Sequence, residues 1–194
     1  MTNNIKLIGV VGAGQMGLGI AQVFATSGFD VLINDNNKIS LSNSSEVIKA
    51  NLKKAINKGR LHKNAGISSV KKIKSEFDIS QLGKCDLIIE AATEDEKIKH
   101  EIFKDLIPHL QPHTILTSNT SSISITRLAA RTDRPEKFMG CHFMKPAPVM
   151  QLVELVRGIA TNEETANCLK DLVKKIGKIS TNSEDFPAFI VNRI

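Results

Sequence analysis

The sequence predicts an α/β fold built on a doubly wound, mainly parallel sheet. Short, nearly continuous apolar runs alternate with segments of helical periodicity along the 194 residues, as expected when helices cover both faces of a sheet. A glycine-rich turn follows the first apolar run directly, at residues 12–17. With 41% hydrophobic residues, the chain is long enough to bury a substantial core, and one main domain is expected.

Local patterns place each element in turn. The first strand, IKLIGVV, is almost wholly apolar, and apolar residues at 16, 20, 23 and 24 mark the buried face of a helix that Gly28 ends. Pro108 ends a later helix, EKIKHEIFKDLI. Strands are predicted at 5–11, 30–35, 85–92, 114–119, 138–144 and 151–156, and further helices at 45–58, 96–107 and 163–176.

Composition narrows the class of protein. Cys85, Cys141 and Cys168 stand far apart with no CxxC pair, which favours a reducing, cytoplasmic location and argues against structural zinc. No apolar run approaches the ~18 residues needed to span a bilayer, so no membrane association is expected. The N-terminus runs directly into the glycine turn and has no signal-peptide cleavage pattern.

Positive charge is concentrated in one segment. Nine Lys or Arg residues and no Asp or Glu lie between Lys49 and Lys74, in a chain of net charge +6. A solvated helix face is the ordinary interpretation of such a run. Nucleic acid is disfavoured as a partner, because the chain has no Trp or Tyr and no aromatic residue alternates with these lysines. A phosphorylated small molecule fits the segment better.

The glycine turn carries the pattern GxGxxG at Gly12, Gly14 and Gly17. Alone this pattern is weak, but here it follows a strand and opens a helix, as in a Rossmann-type dinucleotide site. Gly12 permits the tight turn, Gly14 lets the backbone approach a pyrophosphate, and Gly17 lets helix and strand pack closely. The N-terminus of the helix would supply free N–H groups to the phosphates.

Asp35 lies eighteen residues beyond Gly17, at the end of the second predicted strand. There its carboxylate would accept hydrogen bonds from both ribose hydroxyls and repel a 2′-phosphate, which favours NAD over NADP as the cofactor. Lys38, three residues on, argues weakly in the other direction. The alternative role for Asp35 is to cap the helix that follows it.

The segment HFMKPAPVMQLVELV places a histidine and a glutamate symmetrically about Pro148. His142 lies near the carboxyl end of a predicted strand, where ligands bind in an open parallel sheet. A reversal stiffened by Pro146 and Pro148 would put Glu154 opposite His142. A carboxylate on one imidazole nitrogen leaves the other to accept a proton, as a dehydrogenase requires of its general base. A buried structural histidine beside an edge glutamate fits the pattern equally well.

Several longer motifs together resemble one family. They are IGVVGAGQMGLGIAQVFATSGFDV, DLIIEAATED, TSNTSSISIT, RPEKFMGCHF with PAPVMQLVELVRG, and FIVNRI. In this order they resemble the short-chain L-3-hydroxyacyl-CoA dehydrogenase family, which includes bacterial 3-hydroxybutyryl-CoA dehydrogenases. The resemblance covers essentially the whole chain and implies the family's N-terminal NAD-binding domain.

The resemblance implies roles for individual residues. His142 matches the family's catalytic base and Glu154 its partner. Ser121 matches the serine that hydrogen-bonds the substrate's 3-oxygen, and Asn192 matches an asparagine that contacts the substrate near the reacting carbon. The cofactor-binding positions implied are Gly12, Gly14, Gln15, Met16, Gly17, Asp35, Glu94, Lys99 and Asn119. Lys54 and Lys58 match lysines that meet the nucleotide end of coenzyme A, in agreement with the basic segment.

Two of these assignments have simpler alternatives, and two positions depart from the family. Ser121 could instead be the N-cap of a following helix, and Lys99 could form only a surface ion pair on its own helix. Met144-Lys145 replaces the usual Phe-Asn after the catalytic strand, and Ala188 replaces a glycine. Both departures bear on activity more than on fold.

The resemblance also implies a domain organisation. Residues 1–184 are expected to form the NAD-binding Rossmann domain, and residues 185–194 the start of a truncated, helical C-terminal domain. Full-length relatives are expected to be homodimers through that second domain, which leaves a monomer open for this chain. We therefore expect cofactor binding to be intact and turnover to be weak or lost.

The function that follows is NAD-dependent oxidation of (S)-3-hydroxyacyl-CoA to 3-oxoacyl-CoA, or the reverse reaction with NADH. The partner is a small acyl-CoA substrate. Two alternatives stay open: a non-catalytic NAD-binding or structural relative, favoured by Lys145, Ala188 and the truncation, and a related sugar-acid dehydrogenase, which would have no use for Lys54 and Lys58.

Overall fold

The computed structural model describes residues 5–187 and 189–191, and a single eight-stranded sheet organises them. The strands are β1 Leu7–Val11, β2 Asp30–Asn34, β3 Ile73–Glu76, β4 Leu87–Glu90, β5 Ile115–Ser118, β6 Phe138–Phe143, β7 Leu152–Arg157 and β8 Ile179–Glu184. Their order in the sheet is β3-β2-β1-β4-β5-β6-β7-β8. Every neighbouring pair is parallel except β6 and β7, which confirms the predicted doubly wound, mainly parallel sheet.

Helices cover both faces of the sheet. They are α1 Gln15–Thr26, α2 Lys38–Asn57, α3 Lys63–Lys71, α4 Glu96–Leu106, α5 Ile125–Ala129 and α6 Glu163–Lys175, with short 3₁₀ turns at Ile79–Lys84, Ile107–His109 and Pro135–Lys137. None of the helices in residues 5–187 and 189–191 is long and apolar enough to cross a lipid bilayer.

The core consists of two clusters, one on each side of the sheet. Side chains of α1, α2 and α6 pack on one face, with Phe24 and Leu172 at most 2% exposed. Side chains of α4 and α5 pack on the other, where Phe103 and Phe138 stack edge to face at 5.1 Å between ring centroids. Phe189, beyond the last strand, belongs to this second cluster and is 1% exposed.

Three differences from the predicted elements have clear causes. The basic helix begins at Lys38 instead of near residue 45, because the side chain of Asn37 accepts hydrogen bonds from the N–H groups of Ile39 and Ser40 and caps the helix there. The sequence pattern missed α3, β3 and β8. Strands β3 and β8 are the two edges of the sheet, where backbone pairing suffices and no apolar run is needed.

The topology places a crevice at the end of β1. This strand pairs with β2 on one side and with β4 on the other, so the strand order reverses there. Ligands of open α/β sheets bind at such a point, outside the carboxyl ends of the strands. Because β7 runs antiparallel to β6, the start of β7 lies at the same edge of the sheet as the end of β6.

Candidate active site

The turn between β1 and α1 requires glycine at two positions. Gly12 has φ +110°, and a Cβ there would lie 2.6 Å from the carbonyl oxygen of Ala91. A Cβ on Gly17 would lie 1.8 Å from the carbonyl oxygen of Gly12. Gly14, in contrast, faces open space, since a Cβ there would meet nothing within 4 Å. The turn is therefore compact underneath and open at Gly14, where a ligand can reach the backbone.

The N-terminus of α1 suits an anion. Its N-cap residue is Gly14, no side chain caps it, and its first turn has no acidic residue. The first N–H groups of the helix are thus available to phosphate oxygens. Gln15 is exposed and Met16 is partly buried at the start of the same helix, next to the place where the phosphates of a dinucleotide would lie.

Asp35 braces the glycine turn. Its Oδ2 accepts the N–H of Ala13 at 2.6 Å and its Oδ1 accepts the N–H of Asn37 at 2.7 Å. Since Asn37 caps α2, Asp35 is not the helix cap. Each carboxylate oxygen keeps a further lone pair for a ribose hydroxyl. Lys38 turns away, with Nζ 4.8 Å above the ring of Phe77. The open turn, the uncapped helix and Asp35 together fit NAD.

A buried ion pair ends the neighbouring strand β4. Glu90 and Lys99 are at most 1% exposed, and Nζ of Lys99 donates to both carboxylate oxygens of Glu90 at 2.7 and 2.8 Å. The N–H of Ala92 and the hydroxyl of Ser118 donate to the same carboxylate. Lys99 is therefore not in a surface pair. Such buried pairs are stable only when fully hydrogen-bonded, as this one is.

Glu94 holds the loop that contains Ser121. Its Oε1 accepts hydrogen bonds from Thr120 Oγ1 at 2.6 Å, from the N–H of Ser121 at 2.8 Å and from Ser121 Oγ at 3.0 Å. Burial alone would raise the pKa of Glu94, but these hydrogen bonds and the nearby Lys99 ammonium outweigh it and lower the pKa. Ser121 is not a helix N-cap, because Ser124 caps α5.

Asn119 joins the ends of two strands. Its Oδ1 accepts the N–H of Phe143 at 2.8 Å, and its own N–H donates to the carbonyl of Glu90 at 2.7 Å. This fixes the orientation of the amide and leaves its NH₂ group for another partner. Asn119 thus stands between the cofactor side of the edge and the strand that carries His142.

His142 and Glu154 lie opposite each other on β6 and β7. The two residues are register partners of the antiparallel pair, and Nδ1 of His142 lies 3.1 Å from Oε2 of Glu154. Glu154 is completely buried, while the His142 side chain is 10% exposed at the edge of the sheet. An ionised carboxylate only accepts hydrogen bonds, so Nδ1 carries the proton and Nε2 the lone pair.

Glu154 also holds the chain beyond β8. Its Oε1 accepts the N–H groups of Ile190 at 2.7 Å and Val191 at 3.1 Å. Further back, Asp185 accepts hydrogen bonds from Ser124 Oγ and from two backbone N–H groups at the start of α5. We call residues 185–191 the strap. The predicted site residue Asn192 and the departure at Ala188 lie outside the described residues.

The basic segment borders a separate cleft of ≈390 Å³ between α1, α2 and the turn after β6. Lys54, Lys58 and Arg60 line it on one side. Lys178 lies on the other side and donates from Nζ to the carbonyls of Ala147 and Met150, which holds the turn. Ile48 and Leu52, on the opposite face of α2, are 2% exposed. The cleft thus offers several positive charges to an anionic ligand.

Other candidate chemistry is weak at this edge. Cys141, next to His142, is buried, and burial raises the pKa of its thiol to about 12, so it is not a nucleophile. Lys145 is exposed and directs its charge to solvent. No group of His, Cys, Asp and Glu side chains able to hold a metal ion occurs in the part of the chain that the structure describes.

Two residues of the site were missed from sequence. Glu90 ends the otherwise apolar strand LIIE, and a lone acid at the carboxyl end of a buried strand was a usable signal for a paired carboxylate. Asp185 gave no such signal, because its partners Ser124, Ile125 and Thr126 lie about 60 residues away in sequence.

Known proteins share both the sequence and the fold. The profile of the family described as "3-hydroxyacyl-CoA dehydrogenase, NAD binding domain" matches residues 7–186. A 3-hydroxybutyryl-CoA dehydrogenase of Bradyrhizobium diazoefficiens is 50% identical over 98% of this chain and 65% of its own length. A probable 3-hydroxybutyryl-CoA dehydrogenase of Deinococcus radiodurans is 46% identical over 96% of this chain and 66% of its own.

A solved structure gives the same result. The crystal structure of (S)-3-hydroxybutyryl-CoA dehydrogenase from Ralstonia eutropha superposes with a TM-score of 0.95 at 39% identity, over 98% of this chain and 68% of that one. The chain therefore spans about two thirds of the length of these relatives. Because the family profile covers nearly all of it, the chain belongs to the 3-hydroxyacyl-CoA dehydrogenase family and contains its NAD-binding domain.

Proposed function

We propose that the protein oxidises (S)-3-hydroxyacyl-CoA to 3-oxoacyl-CoA with NAD⁺, or catalyses the reverse reaction with NADH. The observation that carries this proposal is the bond between His142 Nδ1 and Glu154 Oε2 at 3.1 Å, at the strand edge that also holds the NAD turn. The relatives named 3-hydroxybutyryl-CoA dehydrogenase support a short acyl chain.

The chemistry of proton transfer follows from the pair. With Nδ1 bound to Glu154, the Nε2 lone pair of His142 takes the proton of the substrate's 3-hydroxyl. NAD⁺, when bound, accepts the hydride from carbon 3. Glu154 stabilises the imidazolium that forms, since its buried carboxylate already bonds the protonated Nδ1. In the reverse direction the imidazolium returns the proton to the 3-oxygen.

Positioning is assigned to the neighbouring loops. Ser121 is proposed to hydrogen-bond the 3-oxygen, with Glu94 holding its loop in place. Asn119, Glu94 and Lys99 are proposed to shape the cofactor side. Lys99 acts there through Glu90 and Glu94, since its Nζ is bonded to Glu90 and lies 3.7 Å from Glu94. Asn192 is proposed to contact the substrate.

Coenzyme A is proposed to bind along the basic cleft. Lys54, Lys58 and Arg60 offer charge for its phosphates, and the cleft opens beside the turn that follows His142. A phosphate group on an exposed lysine is held mainly by charge and loses affinity with salt. We also propose that the NAD-binding domain ends near residue 184 and that the strap begins a second domain. The three buried free thiols support a reducing, cytoplasmic location.

The test is NADH oxidation with acetoacetyl-CoA, compared with free acetoacetate at the same concentration. We expect turnover with the CoA ester and at least about tenfold less with the free acid, because the CoA part supplies binding energy. Equal rates with both would refute the CoA assignment. No oxidation with either, together with normal NADH binding, would indicate a non-catalytic NAD-binding protein instead.

A further inference from the structure

The strap passes directly beside the proposed general base. Phe189 packs with its ring centroid 6.3 Å from that of His142 and is 1% exposed. It adopts φ +49°, a backbone conformation that is unfavourable for a side chain of this size. The surrounding structure must therefore hold the strap in place. Its described anchors are Asp185 at the start of α5 and Glu154 at the start of β7.

Each oxygen of Glu154 serves a different element. Oε2 is bonded to Nδ1 of His142, and Oε1 is bonded to the N–H groups of Ile190 and Val191. The side chain is 0% exposed, so water does not replace either set of bonds. Removing Oε1 would leave the two backbone N–H groups without this acceptor, which is unfavourable for groups away from water.

We propose that Glu154 is a positioning residue with two separable tasks: through Oε2 it orients His142, and through Oε1 it fixes the strap against the active site. One carboxylate thereby sets the position of the base and of the chain segment that leaves the NAD-binding domain. The first task rests on the proposed function, because it takes His142 as the base. The second does not, and it is measured without any reaction.

The variant Glu154→Gln separates the two tasks. Its amide oxygen can accept the two strap N–H groups, but its NH₂ group then faces Nδ1 of His142 and donates to it. The opposite orientation would set the NH₂ group against two N–H donors. The strap should therefore stay bound, while neutral His142 is forced into the tautomer with its proton on Nε2, which cannot accept the substrate's proton.

The experiment is hydrogen exchange of the Ile190 and Val191 amides together with imidazole ¹⁵N shifts, on the whole 194-residue chain. Glu154→Ala and the volume-matched Glu154→Leu should speed exchange of both amides about tenfold or more. Glu154→Gln should leave exchange within about threefold of wild type and shift the His142 proton to Nε2. His142→Asn, which keeps a donor to Oε2, identifies the His142 signal among the five histidines and should not change exchange.

Unchanged exchange in both apolar variants would overturn the strap task. Rapid exchange in Glu154→Gln would overturn it as well, and a proton that stays on Nδ1 there would overturn the orienting task. If neither apolar variant folds, the Gln variant decides, because bound strap amides and a reversed tautomer are required together. Failure of the proposed dehydrogenase activity would appear only in the turnover assay and would leave the amide result standing.

Discussion

Two carboxylates are fully buried at the same edge of the sheet, Glu90 at the end of β4 and Glu154 at the start of β7. Glu90 is bonded to Lys99, Ser118 and Ala92, and Nζ of Lys99 is buried with it. Glu154 is bonded instead to two backbone N–H groups and to a histidine whose side chain reaches the surface.

The difference lies in what each carboxylate leaves for chemistry. The Lys99 ammonium is committed to Glu90, so that pair stabilises the cofactor side without exchanging protons. An imidazole has two nitrogens, and Glu154 uses only Nδ1, which prepares Nε2 for proton transfer. Burial with a carboxylate partner is therefore not enough to mark a catalytic group; the partner must keep an unused site.

The largest expected effect is on stability, at the Glu90 side. Lys99→Met removes the counter-charge of a completely buried carboxylate and should lower the free energy of unfolding by about 3–5 kcal/mol. Urea denaturation at pH 7 measures it. Lys104→Met is the matched control, since Lys104 pairs with Glu101 on the same helix but is 75% exposed, and it should change the free energy by less than about 0.5 kcal/mol. A similar change in both variants would show that the buried pair contributes no more than a surface pair.

The glycine turn allows stability and cofactor binding to be separated. Gly17→Ala should lower stability by about 1–3 kcal/mol, because its Cβ would collide with the Gly12 carbonyl. Gly14→Ala should leave stability within about 0.5 kcal/mol, since φ is −78° and the space is open. It should still weaken NADH binding about tenfold by blocking phosphate approach. Thermal denaturation and NADH titration by fluorescence check both variants. Unimpaired NADH binding by Gly14→Ala would remove the turn from the cofactor site.

The basic cleft should affect the CoA substrate alone. Replacing Lys54 and Lys58 together by Ala should raise KM for acetoacetyl-CoA about tenfold and leave the Kd for NADH unchanged. Lys63 and Lys71 belong to the same basic segment but do not line the cleft, so their double Ala variant is the control. If the control raises KM equally, general charge attraction explains the effect and the cleft is not the binding site.

The smallest expected effect is a pH dependence of stability. Burial alone would raise the pKa of Asp185, but hydrogen bonds from Ser124, Thr126 and Ile125 outweigh it and lower the pKa below 3.8. Its contribution is therefore fully present above about pH 4, and it is lost as the pH falls through the lowered folded value. Asp185→Asn should be less stable by about 1 kcal/mol at pH 7 and should lose less stability between pH 5 and pH 3. Parallel denaturation curves of both proteins at these pH values would show it; identical slopes would contradict it.

Sequence reasoning reached the parts of the site that rest on local pattern. The glycine turn and Asp35 lie in one strand–turn–helix–strand unit, and His142 and Glu154 lie in one hairpin, so spacing alone placed them. The family resemblance supplied the roles, which stay predictions for Ser121, Asn192 and Lys54. The structure showed the carboxylate networks at this edge, in which Lys99 is buried against Glu90.

What sequence missed depends on long-range contact. Strand β3 pairs with β2 about 40 residues away, and its alternating exposure gave no continuous apolar run. Asp185 meets α5, and Oε1 of Glu154 meets residues 190 and 191, across separations of 36 to 61 residues. Such contacts are fixed only when the sheet is assembled, so no local pattern announces them.

The most direct test of the account is the turnover of His142→Asn. The Asn side chain can still donate to Oε2 of Glu154, but it has no group in place of Nε2. We predict that kcat for NADH oxidation with acetoacetyl-CoA falls by about 10²- to 10⁴-fold, while the Kd for NADH and the free energy of unfolding stay close to wild type. Turnover equal to wild type would contradict the assignment of His142 as the base, and equal loss of NADH binding would make it a structural residue like Lys99.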